Sequence, residues 1–251
     1  IFMMAGFFMV YISASMPMAV AIPVVLIMTV ALGLLIERAA YKPLRSAPRM
    51  SVMISAIGVS YLLQNLATYI TGGLARPYPE IPFLKGTFML GALKIKVITV
   101  VTPLLTVLLV IALVLFINHT KTGMAMRAAS RDFDTARLMG IKVNNIISVT
   151  FIIGSFLAGV GSILYFSNYG QVSPTIGAMP GLKAFVAAVF GGIGSIPGAV
   201  LGAYIIGICE SLIKANDAIA IFSNAFTFAL LILVLLFKPN GMFGEKLAEK
   251  V

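Results

Sequence analysis

The residues best placed to do chemistry lie in one polar stretch, Thr122 to Asn145, reading TGMAMRAASRDFDTARLMGIKVNN. The spacing there predicts a short helix of about two turns. Asp132 caps its start, Asp134 sits in the first turn where the helix dipole favours an anion, Arg137 closes the last turn, and Gly140 supplies a left-handed stop. Such a short helix is marginal in water, so it must pack on something. Phe133, Leu138 and Met139, flanked by Arg131 and Arg137, suit a groove on a partner protein. The plainer reading is a solvated loop with ordinary caps.

Two further sets of residues could line a path for a polar solute. Gln64 and Asn65 interrupt an otherwise apolar run, and amides there need partners across helices or in a water-filled cavity. Gly191, Gly192, Gly194 and Ser195 break another apolar run, where free backbone groups and a hydroxyl could meet such a solute. Both sets also have a structural reading. Amides can bond between helices, and Gly198 with Gly202, extended by Ala203 and Gly207, forms a small-residue packing face. Gly154, Ala158 and Ser162, spaced by four, are further packing positions. Glu210 is read as interfacial and His119 as structural.

Enzymatic chemistry has little material. There is one histidine and one cysteine, Cys209, so neither an internal disulfide nor a Cys/His metal cluster can form. Eight acids, none paired inside an apolar run, leave no proton relay and no general acid/base pair. No G-x-x-x-x-G-K-[ST] phosphate loop is present.

The elements that must hold these residues are membrane helices. The 251 residues are 60% hydrophobic and 10% charged, far from the roughly 25% charge of soluble domains. Since about 20 apolar residues span a bilayer, spans are predicted over Pro17 to Ile36, Met50 to Gly73, Val97 to Ile117, Ile146 to Phe166 and Ala218 to Phe237. Phe2 to Ile12 reads as the remainder of a helix begun before Ile1. Leu182 to Leu212 is broken by Gly191, Gly192, Gly194, Ser195, Pro197 and Gly198 into about nine residues before and about fourteen after, too short on either side to cross comfortably, so it is expected to enter and return on one side.

The net charge of +10 orients the set. Arg38, Lys42, Arg45, Arg49, Lys121, Arg127, Arg131, Arg137, Lys142, Lys238, Lys246 and Lys250 number twelve, against six in Arg76, Lys85, Lys94, Lys96, Lys183 and Lys214. The larger group is assigned to the cytoplasm, which puts the C-terminus there too. Because the cations fill gaps between apolar runs rather than one polar face, nucleic-acid binding is not expected. The 73–96 segment, with Pro77, Pro79 and Pro82 followed by alternation in GTFMLGALKIKV, is predicted to be an extracytoplasmic loop with a short hairpin.

Asp134, Thr135, Ala136, three residues, then Gly140 and Ile141 resemble the coupling-loop motif of ABC importer permeases. The chain is similar in particular to the branched-chain amino acid, LivH-type family. The similarity runs through ERAAYKPLRSAPRM (Glu37 to Met50), AIGVSYLLQNLA (Ala56 to Ala67), MRAASRDFDTARLMGI (Met126 to Ile141), LKAFVAAVFGGIGSIPGAVLGAYIIGICE (Leu182 to Glu210) and FKPNGMFG (Phe237 to Gly244). Against the family pattern, the first helix is missing ahead of Ile1, and Asp134 and Thr135 stand where the broader motif has Glu and Ala.

The resemblance implies an all-α polytopic membrane bundle: a single permease domain over 1–251, with a re-entrant unit and a cytoplasmic coupling helix within the 118–145 loop. In it, Arg131, Asp132, Phe133, Asp134, Ala136, Arg137, Leu138 and Gly140 would contact an ATP-binding subunit. The implied partners are two ATP-binding cassette subunits, a second permease subunit forming a heterodimer, an extracytoplasmic binding protein and membrane lipid. ATP and magnesium would be bound by the partners and no cofactor by this chain. Related permeases could serve urea or short amides. An ion-coupled secondary transporter is the other class, and it lacks the carboxylates it would need.

Overall fold

The computed structural model describes residues 1–45, 47–84, 86–90, 93–192, 194–216, 219–238 and 241–242. Lys85, Lys246, Lys250, Ala218 at the start of the last expected span and much of FKPNGMFG lie outside them. The chain divides into two compact units, Ile1–Gly177 and Ala178–Val251.

The first unit is built on α1 (Phe2–Ser13), α2 (Met18–Ile36) and α7 (Val143–Tyr169). Apolar side chains surround each of these helices, as expected of helices buried in protein or lipid. Met3, Phe7, Met9, Val25, Ile163 and Phe166 form their common core. The face of α7 that meets α2 is Ser155 and Gly159. A Cβ on Gly33 of α2 would fall 2.7 Å from Ser155 Cβ, and one on Gly159 would fall 3.0 Å from Leu26 Cδ2. The expected row of Gly154, Ala158 and Ser162 runs one residue away from this contact. Gly154 is exposed with nothing within 4 Å of an added Cβ, Ala158 is half-buried, and only Ser162 of that trio is fully buried.

A π-turn, Glu37–Tyr41, ends α2, with the Lys42 amide donating to the Glu37 carbonyl at 2.8 Å. Then come α3 (Arg49–Thr71) and α4 (Val97–His119), whose apolar side chains point mostly outward. The loop between them carries the expected hairpin, β2 (Thr87–Leu90) against β3 (Leu93–Lys96), with Phe88 opposite Ile95. A pairing not anticipated joins β1 (Arg76–Pro77) to β4 (Gln171–Val172) and ties that loop to the end of α7. After α4 the chain forms α5 (Lys121–Arg131) and α6 (Phe133–Leu138) before entering α7. The sequence reading anticipated α6 and not α5.

The second unit is a hairpin, α8 (Ala178–Gly191) and α9 (Ile196–Lys214), with α10 (Ser223–Phe237) packed on both. Lys183 near the start of α8 reaches Glu210 near the end of α9 at 2.6 Å, so the two outer ends lie side by side. The hairpin thus returns on itself, but its arms are longer than expected, 14 and 19 residues, and Ile196–Lys214 is long and apolar enough to cross a membrane. Pro197 and Gly198 do not extend the break. Ser195 caps α9 by accepting from the Gly198 amide at 3.2 Å, and Pro197 occupies the first turn, where its missing N–H costs nothing. Among the described residues six helices are long and apolar enough to span a bilayer.

Candidate functional site

The 118–145 loop folds from its caps inward. Thr120 accepts from the Gly123 amide at 3.0 Å and starts α5. Asp132 ends α5 and caps α6: its Oδ1 accepts from the Asp134 amide at 3.0 Å and the Thr135 amide at 3.4 Å, while Oδ2 accepts from the Thr135 hydroxyl at 2.7 Å. A cap of this kind contributes about 1 kcal/mol. At the other end Gly140 adopts φ +81°, with its amide on the Arg137 carbonyl at 3.0 Å and the Ile141 amide on the Ala136 carbonyl at 3.1 Å. This pair of bonds is a Schellman stop, whose left-handed residue favours glycine.

Caps alone do not hold a six-residue helix. Ala136 is buried against Ala129 of α5 and Val143 of α7, with Ile141, Ile146 and Ile147 packed around them. One face of α6 is therefore fixed from behind. The other face is apolar and bare: Phe133 is 53% exposed, Leu138 88% and Met139 79%. Asp134 and Arg137 form an exposed pair at 3.7 Å, which contributes little to stability. Arg131 is exposed at the last position of α5.

Behind this loop lies a polar cluster that the sequence reading did not single out. Glu37, in the π-turn after α2, is fully buried and forms an ion pair with Arg45. Arg45 also donates to Asn144 Oδ1, and the Ser148 hydroxyl lies 3.1 Å from Glu37 Oε2. An acid directly after a predicted span, Pro17 to Ile36, was the available signal. Arg45 is close in sequence, but Asn144 and Ser148, about one hundred residues away, could not be read from spacing.

The expected path residues fall in separate units. Gln64 is half-buried on α3, and Asn65 is exposed, with Nδ2 donating to the Tyr61 carbonyl at 2.8 Å. In the hairpin, Gly191 abuts the Gly198 carbonyl, and a Cβ on Gly202 would fall 2.7 Å from the Ala187 carbonyl oxygen. Gly192 has φ 109° and Gly194 φ 103°, both in the turn. A Cβ on Gly241 would lie 2.5 Å from Gly192 Cα, and the Met242 amide donates to the Phe190 carbonyl at 2.9 Å. The break is therefore covered by the segment that follows α10, at the end of the hairpin opposite Lys183 and Glu210. His119 is the last residue of α4, and Glu210 takes both Lys183 and Lys214, the latter at 2.5 Å. Among the described residues no group of three or more His, Cys, Asp or Glu could hold a metal ion.

The family model described as branched-chain amino acid transport system / permease component matches residues 1–235. The chain belongs to this permease family. It is 40% identical to the high-affinity branched-chain amino acid transport system permease protein BraD of Pseudomonas aeruginosa, over 95% of this chain and 78% of that one. It is 41% identical to the permease protein LivH of Escherichia coli, over 88% of this chain and 72% of the other. A probable LivH of Methanocaldococcus jannaschii is 30% identical over 93% of the chain. No solved structure matches. The chain is thus an all-α, multi-pass membrane permease.

Proposed function

We propose that this permease is a membrane-spanning subunit of an ATP-driven importer for branched-chain amino acids. The observation that carries the coupling is α6. It is capped at both ends, braced through Ala136, and leaves Phe133, Leu138 and Met139 facing outward beside Arg131 and Arg137. The transporter holds two ATP-binding cassette subunits, one of which docks at α6; ATP and magnesium are bound by them, and this chain contributes no catalytic group. A second permease subunit completes a heterodimer, and an extracytoplasmic binding protein delivers substrate. The twelve-to-six cation asymmetry supports a cytoplasmic C-terminus and places the 118–145 loop on the same side. Gln64, Asn65, Gly191, Gly192, Gly194 and Ser195 are the groups proposed for the translocation path.

The test is uptake of radiolabelled leucine by proteoliposomes holding this chain, its partner permease, the ATP-binding subunits and the binding protein. Uptake is expected with ATP and to stop when ATP is replaced by a non-hydrolysable analogue. Uptake driven by an ion gradient without ATP would overturn the reading. Competition by urea or short amides in place of leucine would overturn the substrate.

A further inference from the structure

The buried cluster behind the loop has a position that its chemistry alone does not require. Val143, the first residue of α7, packs under Ala136 of α6, and the next residue, Asn144, accepts from Arg45. One turn further along α7, the Ser148 hydroxyl stands 3.1 Å from Glu37 Oε2 and 3.2 Å from the Asn144 carbonyl oxygen. Glu37 opens the π-turn that closes α2, and single π-turns recur at functional sites within helices. α6, the start of α7 and the end of α2 are thus joined in series. The first joint is apolar packing and the second is charge-assisted hydrogen bonding.

Burial makes the second joint specific. Glu37 has a side-chain exposure of 1% and Arg45 of 15%, so neither charge can be left to water. Arg45 Nε is buried with no hydrogen-bond partner, so the guanidinium is held through its two terminal nitrogens, one on Glu37 and one on Asn144. A planar fork bonded at both tips transmits rotation as well as displacement, which a point charge on a flexible stem does not. Arg45 lies eight residues after Glu37, so its tie to Glu37 stays within one segment. Its tie to Asn144 crosses to α7, beside the bond that the Ser148 hydroxyl makes to Glu37.

We propose that Glu37, Arg45, Asn144 and Ser148 form a positioning clasp that passes the displacement of α6 to α2, coupling ATP hydrolysis in the partners to movement of the membrane helices. The clasp rests on the docking role proposed for α6. It touches neither ATP nor substrate. Breaking it uncouples hydrolysis from transport instead of abolishing either partner's own chemistry.

The test uses the complete transporter in proteoliposomes and reads ATP hydrolysed per leucine imported. Asn144 is exposed, so Asn144→Leu removes the acceptor without opening the core, while Asn144→Asp keeps it. The ratio is expected to rise about tenfold in Asn144→Leu with subunit assembly unchanged, within the usual range for coupled sites. Asn144→Asp is expected to stay near the parent ratio. Arg45→Lys retains the charge facing Glu37 but cannot hold both partners, and it is expected to raise the ratio as Asn144→Leu does. A parent ratio in both Asn144→Leu and Arg45→Lys overturns the clasp, as does a rise in Asn144→Asp equal to that in Asn144→Leu. Loss of assembly in both uncoupling variants also overturns it, because the cluster would then serve assembly. If Leu138→Asp with Met139→Lys leaves assembly intact, the docking role itself fails. If that variant loses assembly while Asn144→Leu keeps the parent ratio, only the clasp fails.

Discussion

Leu138→Asp combined with Met139→Lys leaves the chain folded and removes its association with the ATP-binding subunits. Both side chains are almost wholly exposed, at 88% and 79%, so substitution there costs the isolated chain little. In a docked complex they would be the apolar anchors of a small interface. Losing one anchor of that kind costs at least about 2 kcal/mol, roughly thirtyfold in Kd. A charge left in a partner's groove without a counter-ion adds to that loss. Pull-down of purified ATP-binding subunits by the solubilised permease reads the association, and the thermal midpoint of the permease alone reads the fold. Retained association would remove α6 from the interface.

The second large effect falls on the hairpin. Gly191→Val lowers the thermal stability of the solubilised chain by about 3 kcal/mol or more, at the upper end of the cost of overpacking. Gly191 abuts backbone rather than side chain: an added Cβ would fall 2.6 Å from the Ala199 nitrogen and closer still to the Gly198 carbonyl. No rotamer change can relieve that contact, so α8 and α9 must separate. Gly207, on the same helix as Gly198, has nothing within 4 Å of an added Cβ, and Gly207→Val is the matched control expected to be neutral. Equal thermal midpoints for the two variants would contradict the packing role of Gly191.

Features set by neighbouring residues were readable in advance. Asp132 and Gly140 bound α6 because capping is decided within four or five residues, and alternation through Phe88 and Ile95 marked the hairpin. Features decided by tertiary contact were not. Gly154, Ala158 and Ser162 form a row spaced by four, and Ser155 with Gly159 forms another one residue over; spacing alone does not say which row meets α2. Pro197 read as a breaker because proline ends helices, yet in the first turn of α9 it starts one. α5 was hidden because its buried positions are the small residues Gly123 and Ala129, and Ala129 packs with Ala136 and Val143, which follow it in the chain. The Glu37 cluster depends on pairings across the whole first unit, and β1 with β4 likewise.

ATP-binding subunits are expected to meet this chain at α6, and cross-linking from a single thiol reads that contact directly. The chain has one cysteine, so Cys209→Ala gives a thiol-free background in which Leu138→Cys and Phe83→Cys each carry one reactive group. Phe83 is 84% exposed in the loop assigned to the opposite face of the membrane. In the assembled transporter, a short bifunctional reagent is predicted to join position 138 to an ATP-binding subunit and to leave position 83 unlinked. A link from position 83 with none from position 138 would contradict the account.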